Sequence, residues 1–234
     1  MSKLNLLIVS VNYNDYLSYT LKYNQPVFDN IYVVSSARDQ AISKTIHSLD
    51  DHSNIHLLLT EAFYQGGKWG SSIFNKGGGI NYGLSQIPNK DWILIGDADC
   101  VYPRRLRGIF NDLKKTNLHC MYRKMVSSPA ILPEMVHVMN NEKSSDVSPE
   151  QFKNQENRSV HYFPGYCQLF NFDADVFKDK KVVYPEGRSC RYIDTIFSRG
   201  TFTRPFRTLL HEFYCLHLGK TCVNWYGRKS EKFV

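Results

Sequence analysis

Two carboxylates separated by one residue, Asp97 and Asp99, follow a short apolar run at residues 92–95. Such a run is typical of a strand covered on both faces of a parallel sheet. Acids at the carboxyl end of that strand lie where open α/β sheets bind their ligands. Two negative charges there are costly unless a cation offsets them, and hard divalent cations prefer carboxylate oxygens together with substrate phosphates. The pattern predicts a site for Mg2+ or Mn2+ and a phosphorylated ligand. The alternative is an ordinary acidic turn before the helix that Pro103 would start.

The elements before this pair alternate between strand and helix, which predicts a parallel, doubly wound α/β sheet. The expected strands occupy residues 4–11, 30–36, 54–60 and 91–95. Helices are expected through residue 22, over 41–49, over 70–84 and, as a basic amphipathic helix, over 104–115.

The second half of the chain is less regular. A strand is expected at residues 118–122, and residues 127–159 are polar and contain Pro129, Pro133 and Pro149. We interpret residues 127–159 as a partly mobile excursion able to close over a substrate. Further elements are expected at residues 162–172, 173–177, 192–198 and 211–219.

Composition bounds the function without deciding it. The chain has 234 residues, of which 42% are hydrophobic and 22% charged, as in a soluble globular domain. Its net charge of +7 favours polyanionic partners such as nucleotide sugars, nucleic acid or anionic membrane. The six cysteines form no C-x-x-C pair, so buried free thiols are expected. No signal sequence and no apolar run of about 20 residues is present, which predicts a cytoplasmic protein without a membrane span.

The segment 74–83 (FNKGGGINYG) followed by 92–99 (WILIGDAD) resembles the nucleotide-sugar domain of family-2-like GT-A glycosyltransferases. The resemblance implies one catalytic domain over residues 1–234, with a nucleotide-sugar half at 1–113 and an acceptor half at 114–234. It also implies a Rossmann-like GT-A fold: a mostly parallel central sheet, helices on both faces, and a mixed acceptor-side half.

The same resemblance implies roles for individual side chains. The donor would contact residues near the first two strands, the glycine-lysine helix, the acid pair and the basic tail: Val11, Asn12, Tyr13, Ser35, Arg38, Asn75, Lys76, Gly77, Asp97, Ala98, Asp99 and Arg228. Gly77 to Gly79 lack the spacing of a dinucleotide fingerprint, and tight helix packing is an equal explanation for them.

Resemblance also places the catalytic and metal-binding groups. Asp194 matches the carboxylate that deprotonates the acceptor hydroxyl in inverting members, although Ile193 stands where an acid is usual; a partner for Arg191 is the alternative. His217 would complete a metal site with Asp97 and Asp99, and His211 competes for that role.

The acceptor side is expected to include Tyr64, Trp69, Gly165 and Tyr166. The expected activity is metal-dependent transfer of a sugar, from a donor such as UDP-glucose, to an acceptor hydroxyl, with inversion. Size and positive charge suit a 5-hydroxymethylpyrimidine in DNA as acceptor. A glycan or protein acceptor, a nucleotidyltransferase, and a non-catalytic binding module are the alternatives.

Overall fold

The computed structural model describes residues 2–64, 74–88, 90–141, 165–178, 183–186 and 190–219, without the side chains of residues 190–192. An eight-stranded sheet runs through these residues in the order β3-β2-β1-β4-β7-β6-β8-β5.

The first half of the sheet is parallel. Its strands are β1 (Leu4–Val9), β2 (Asn30–Ser35), β3 (Ile55–Leu59) and β4 (Trp92–Asp97). They alternate with α1 (Asn14–Asn24), α2 (Ala41–His47) and α3 (Lys76–Gln86), with a 3-10 turn at Ala62–Tyr64. β1 and β4 are almost wholly buried, as their unbroken apolar runs predict. The α/β alternation is therefore confirmed, and β1 stops two residues short of the predicted end.

The second half of the sheet is mixed. Its strands are β5 (Cys100–Val101), β6 (Leu118–Val126), β7 (Cys167–Asn171) and β8 (Arg207–Leu218). β7 is antiparallel to both β4 and β6, β8 is parallel to β6, and β5 is antiparallel to β8. The helices of this half are α4 (Leu106–Ile109), α5 (Leu132–Asn141) and α6 (Cys190–Thr201). The mixed half agrees with the predicted fold class.

The sheet curls so that its last strand returns to its middle. β5 begins only three residues after β4 ends, yet it hydrogen-bonds to β8 at the far edge of the strand order. Residues 97–99 must therefore bridge the end of β4 and the outer edge of the second half. This connection brings side chains from distant parts of the chain beside the acid pair.

Two predictions for the second half are wrong. The basic helix over 104–115 is replaced by the four-residue α4 and a 3-10 turn at Phe110–Asp112. Its cations also diverge, since Arg107 pairs with Asp29 at 2.6 Å while the Arg105 guanidinium lies over the Phe213 ring.

The start of the expected excursion is ordered instead. Residues 129–131 form a 3-10 turn that leads into α5, and α5 buries Leu132, Val136 and Met139. An apolar residue every three or four positions gives this helix a core-facing side, and the prolines at 129 and 133 occupy first-turn positions where proline is tolerated. Residues 142–159 lie outside the described part of the chain.

Four thiols, those of Cys100, Cys120, Cys167 and Cys215, are free and buried, as expected. The side chains of Cys190 and Cys222 are not among those described. Among the described helices, none is long and apolar enough to cross a membrane.

Candidate functional site

The backbone of the acid pair is held by helix α1. Thr20 Oγ1 donates to the Ala98 carbonyl at 2.8 Å. The Asn24 side chain donates to the Cys100 carbonyl at 2.9 Å and accepts from the Tyr102 amide at 2.9 Å. Both α1 side chains are fully buried, so their polar groups are committed to these bonds. These hydrogen bonds fix the backbone of the turn that carries Asp97 and Asp99 against helix α1.

Lys76 is placed by the first turn of α3 and points at two acids. Its ammonium lies 2.9 Å from Asp97 Oδ1 and 3.7 Å from Asp194 Oδ1. The Lys76 side chain is 12% exposed, so these contacts are shielded from water. Asn75 caps the helix by accepting from the Gly78 amide at 3.0 Å. The predicted donor residue Asn75 is therefore occupied in starting the helix that delivers Lys76.

The two acids of the pair titrate differently. Burial is the largest single influence on Asp97 and raises its pKa, but the charge and hydrogen bond of Lys76, together with the charges of His217 and Arg123, outweigh burial, so this pKa lies below its ordinary value. For Asp99, burial is the largest influence and the charge of Asp97 adds to it, so its pKa lies above its ordinary value although His217 opposes the change. Asp97 is thus held as a carboxylate mainly by Lys76, while Asp99 has no equally close cation among the described residues.

Asp194 lies in the second turn of α6 and is held by a hydrogen-bonded group that sequence reasoning missed. Tyr184 directs its hydroxyl at Asp194 Oδ1, 2.5 Å away, and at Gln168 Oε1, 2.7 Å away. The Gln168 side chain donates in turn to the backbone carbonyl of Asp194 at 3.1 Å. Burial raises the pKa of Asp194, while Lys76 and Tyr184 act in the opposite direction. A buried carboxylate with a raised pKa is suited to accept a proton.

Gly165 explains how Asp194 fits beside the β7 side of the sheet. A β-carbon at residue 165 would collide with the Asp194 carboxylate. The absence of a side chain therefore leaves the space that Asp194 occupies. The sequence predicted that Gly165 makes room for an acceptor sugar; in the structure it makes room for the candidate base.

Asp99, Cys100 and His217 form a group whose ligand atoms all lie within 4.8 Å of one another. His217 Nε2 is 3.7 Å from Asp99 Oδ1. The Nδ1 atom of His217 is buried and makes no hydrogen bond to the described residues. A carboxylate, an imidazole and a thiol are all metal ligands, and buried polar atoms in proteins are nearly always given a partner. The donor set therefore fits a divalent cation, and Asp99 and His217 are the residues that would hold it.

The competing histidine lies elsewhere. His211 is exposed, and its Nδ1 atom lies 3.0 Å from the Tyr122 hydroxyl. The pairing of β8 with β6 slips between Met121 and Tyr122, where Leu210 and Tyr214 become the successive partners. This irregularity breaks the simple alternation that would have put residues 211 and 217 on one face.

The loop after β1 is anchored by Asp39, a residue that sequence reasoning also missed. The Asp39 carboxylate accepts from the Asn12 amide at 2.7 Å and from the Asn14 side chain at 2.9 Å. Asn12 has a positive φ of 64°, a conformation that asparagine tolerates better than most residues. Asn12 is exposed and Val11 and Tyr13 are partly so, which leaves this loop accessible to a ligand.

Of the two donor residues predicted near the end of β2, Arg38 is exposed and Ser35 is buried. Arg38 is paired with Glu61 at 2.9 Å and its guanidinium lies 4.2 Å from the centre of the Tyr64 ring. The Arg38 side chain is 67% exposed, so a ligand can reach it. Ser35 is fully buried, so a direct contact between its hydroxyl and a donor is wrong for this structure.

The glycine run packs closely, as the alternative explanation predicted. A β-carbon at Gly77 would collide with the Pro185 carbonyl, and one at Gly79 with the Phe63 ring. Helix α3 therefore lies against two neighbouring segments at van der Waals contact. Gly77 shapes the site by letting α3 approach the segment that carries Tyr184.

The residues predicted on the acceptor side differ in their exposure. Tyr64 is 46% exposed and stacks with Arg38, so its ring is available to a ligand. Tyr166 is only 3% exposed and donates its hydroxyl to the Met121 carbonyl at 3.0 Å, so its ring lies in the core. Trp69 and Arg228 lie outside the described residues.

Comparison with solved structures decides the fold. Staphylococcus aureus TarS, determined as residues 1–349 in complex with UDP, matches 92% of this chain with a TM-score of 0.61 at 13% identity. A mycobacterial protein matches 93% with a TM-score of 0.53 at 10% identity. The fold is that of the GT-A glycosyltransferases. The chain spans 60% and 65% of those two structures. No protein-family model and no curated protein matches the sequence.

Proposed function

We propose that the chain transfers a sugar from a nucleotide-sugar donor, UDP-linked, to an acceptor hydroxyl in a metal-dependent, inverting reaction. One observation carries the proposal: the ammonium of Lys76 lies between Asp97, one member of the acid pair, and the separate acid Asp194, at 2.9 and 3.7 Å. In a single displacement, the acid pair would serve the leaving group by holding a cation beside it. The separate acid would take the proton of the attacking hydroxyl. The GT-A fold, with UDP bound to TarS, supports the choice of donor.

Asp194 takes the proton of the acceptor hydroxyl in this proposal. A neutral hydroxyl attacks an anomeric carbon poorly, and a positioned carboxylate raises its nucleophilicity as the bond forms. Tyr184 holds the carboxylate of Asp194 and Gln168 holds its backbone carbonyl, which together fix the position of this acid. Burial favours the neutral form of Asp194, which raises its affinity for the proton it must accept.

Asp99 and His217 are proposed to hold a divalent cation, with Asp97 alongside them. When bound, such a cation offsets the charge of the departing nucleoside diphosphate. Asp97 differs from Asp99 because Lys76 already satisfies one of its oxygens. Lys76 brings a positive charge to the same place, and a partly buried ammonium can stabilise the diphosphate as it leaves.

The loop at Asn12 and the Arg38–Tyr64 pair are proposed to receive the nucleoside. The loop follows β1, and Arg38 follows β2, so both lie at the carboxyl edge of the parallel half. Donor sites of doubly wound sheets form at this edge. The exposed guanidinium and the exposed ring offer a cation and a stacking surface to the donor.

For the acceptor we propose a 5-hydroxymethylpyrimidine in DNA, on the net positive charge of the sequence. Radiolabelled UDP-glucose should label hydroxymethyl-containing DNA and leave unmodified DNA unlabelled. Equal labelling of the two DNAs would remove this acceptor in favour of a glycan or a protein, while leaving the proposed donor chemistry in place.

The central test is calorimetry of UDP binding with and without Mn2+, together with hydrolysis of UDP-sugars. Metal-dependent UDP binding and slow release of the sugar are expected. Asp194→Asn should bind UDP and lose turnover. A nucleotidyltransferase would instead form a nucleotide-sugar from a nucleoside triphosphate and a sugar phosphate. A non-catalytic binding module would give no turnover at all.

A further inference from the structure

The thiol of Cys100 lies beside the two residues proposed to hold the cation. Its Sγ atom is 3.8 Å from Asp99 Oδ1, and His217 Nε2 is 3.7 Å from the same oxygen. All three donor atoms fall within 4.8 Å of one another. Metal bonds to oxygen, nitrogen and sulfur of about 2.0–2.3 Å, at tetrahedral angles, separate neighbouring donor atoms by about 3.3–3.6 Å. The distances from Asp99 Oδ1 to Cys100 Sγ and to His217 Nε2 exceed that spacing by a few tenths of an ångström.

The backbone holds the thiol and the imidazole together. Cys100 and His217 are direct partners in the antiparallel pairing of β5 and β8. Directly opposed residues of an antiparallel pair have side chains on the same face of the sheet. The Asp99 carbonyl accepts from the Leu218 amide at 2.8 Å, which ties Asp99 to the same strand. The three groups therefore belong to one rigid piece of sheet.

The environment of this group also points to a bound cation. Cys100 is fully buried and His217 is 7% exposed. The buried Nδ1 atom of His217 has no hydrogen-bond partner in the described part of the chain, and its Nε2 atom lies beyond hydrogen-bond reach of Asp99. A cation coordinated by Asp99 Oδ1, Cys100 Sγ and His217 Nε2 would relieve the cost of burying these three donor atoms, whereas the Nδ1 atom would still need a partner of its own.

We propose that Cys100 Sγ is a third protein ligand of the cation, next to Asp99 and His217. A thiolate is a soft ligand, so this donor set favours a borderline cation of the Zn2+ or Co2+ class over Mg2+ or Mn2+. The site then differs from the oxygen-rich one that the acid pair alone predicts. When the sulfur–metal bond forms, the S–H bond breaks and its proton passes to solvent, as thiol ligands require.

This proposal rests on the cation site of the proposed function, but it can fail alone. The test is a Co2+ titration of the full chain without nucleotide, followed by absorption. Wild type should show the visible bands of low-coordinate cobalt together with a near-ultraviolet sulfur-to-cobalt charge-transfer band. Cys100→Ser should lose the near-ultraviolet band. Its Zn2+ affinity should fall by more than the roughly 10- to 100-fold that losing an outer-sphere partner costs.

Cys215→Ala is the matched control. Cys215 is also buried and lies on β8 two residues before His217, but it is not part of the Asp99, Cys100 and His217 group. This variant should keep the charge-transfer band. A band that persists in Cys100→Ser, or disappears in Cys215→Ala alone, would overturn the assignment of the ligand to Cys100.

X-ray absorption of the zinc-loaded wild type provides a reading that needs no variant. One sulfur atom at about 2.3 Å from zinc is expected. A shell of nitrogen and oxygen only would overturn the proposal, and so would the absence of Zn2+ and Co2+ binding. Either result would leave the proposed transfer reaction intact if UDP-sugar turnover with Mn2+ still depends on Asp194.

Discussion

Lys76 and Asp194 lie 3.7 Å apart although 117 residues separate them in sequence, and the same ammonium is 2.9 Å from Asp97. One cation thus joins the parallel half of the sheet, which carries Asp97, to helix α6, which carries Asp194. The relationship makes Lys76 the residue whose removal should affect both acids.

Lys76→Met should weaken UDP binding. Hydrogen bonds to charged groups contribute about 1.5–3 kcal/mol each, so the Kd should rise by about 10- to 150-fold. Calorimetry at fixed metal concentration gives this value. Lys114→Met is the control, since Lys114 is exposed. A Kd unchanged in Lys76→Met would show that the lysine serves the acids alone and does not contact the donor.

Asp194→Asn should reduce sugar transfer by about 100- to 10,000-fold, which is the usual contribution of a general base. UDP affinity should stay within a factor of a few, because Asp194 is assigned to the acceptor. Single-turnover transfer and calorimetry measure the two quantities. Asp175→Asn, on an exposed residue near α6 in sequence, should behave as wild type. Loss of UDP affinity in Asp194→Asn would assign Asp194 to donor binding instead.

Tyr184→Phe should move the acid limb of the pH–rate profile to higher pH. Burial already raises the pKa of Asp194, and the hydrogen bond from Tyr184 lowers it, so losing that bond raises the pKa further. A base works only when deprotonated, so transfer should fall away at a higher pH than in wild type. Tyr82→Phe, which keeps the Tyr184 bond, should leave the limb in place. A shift to lower pH would contradict this assignment.

Gly77→Ala should destabilise the fold by about 1–3 kcal/mol, the usual cost of inserting a methyl group into a packed contact. Its β-carbon would meet the Pro185 carbonyl. Gly200→Ala is a matched helical control, because nothing lies within 4 Å of its added carbon. That variant should be stabilised by about 0.5–1 kcal/mol. Urea unfolding of both proteins measures the difference, and equal stabilities would refute the close packing of α3.

Asp99→Asn should weaken divalent-metal binding more than Asp97→Asn does. Asp99 lies in the group with Cys100 and His217, whereas Asp97 already has Lys76 as a partner. The difference should appear as a larger rise in the metal Kd, measured by calorimetry without nucleotide. A larger rise in the metal Kd from Asp97→Asn would show that Asp97, and not Asp99, is the more important metal ligand.

Periodicity predicted the parallel half well, because buried strands such as β4 carry a continuous apolar run and their helices carry one apolar face. The acid pair followed from the position of Asp97 and Asp99 at the end of β4. The resemblance to GT-A enzymes pointed to Lys76, Asp194 and His217, which the structure places around that pair.

The remaining parts of the site depend on contacts that local sequence does not encode. Tyr184 follows a stretch without helix or strand periodicity. The close approach of Gly77 to Pro185 and the hydrogen bonds between the Asn81 side chain and the backbone of Val183 and Tyr184 hold that segment beside Asp194. Asp39 acts through a loop 27 residues earlier in sequence. The buried position of Tyr166 could not be predicted either, because an aromatic residue after a glycine has the same local sequence whether its ring is exposed or buried.

The pairing of two-residue β5 with β8 has a consequence for folding. Asp97 and Asp99 are only two positions apart, but the second acid meets its histidine only after β8 has paired with β5. Metal affinity should therefore develop late and all at once during refolding, in step with the last strand. A fragment ending at residue 113 would contain both acids and still lack the means to concentrate a cation between them.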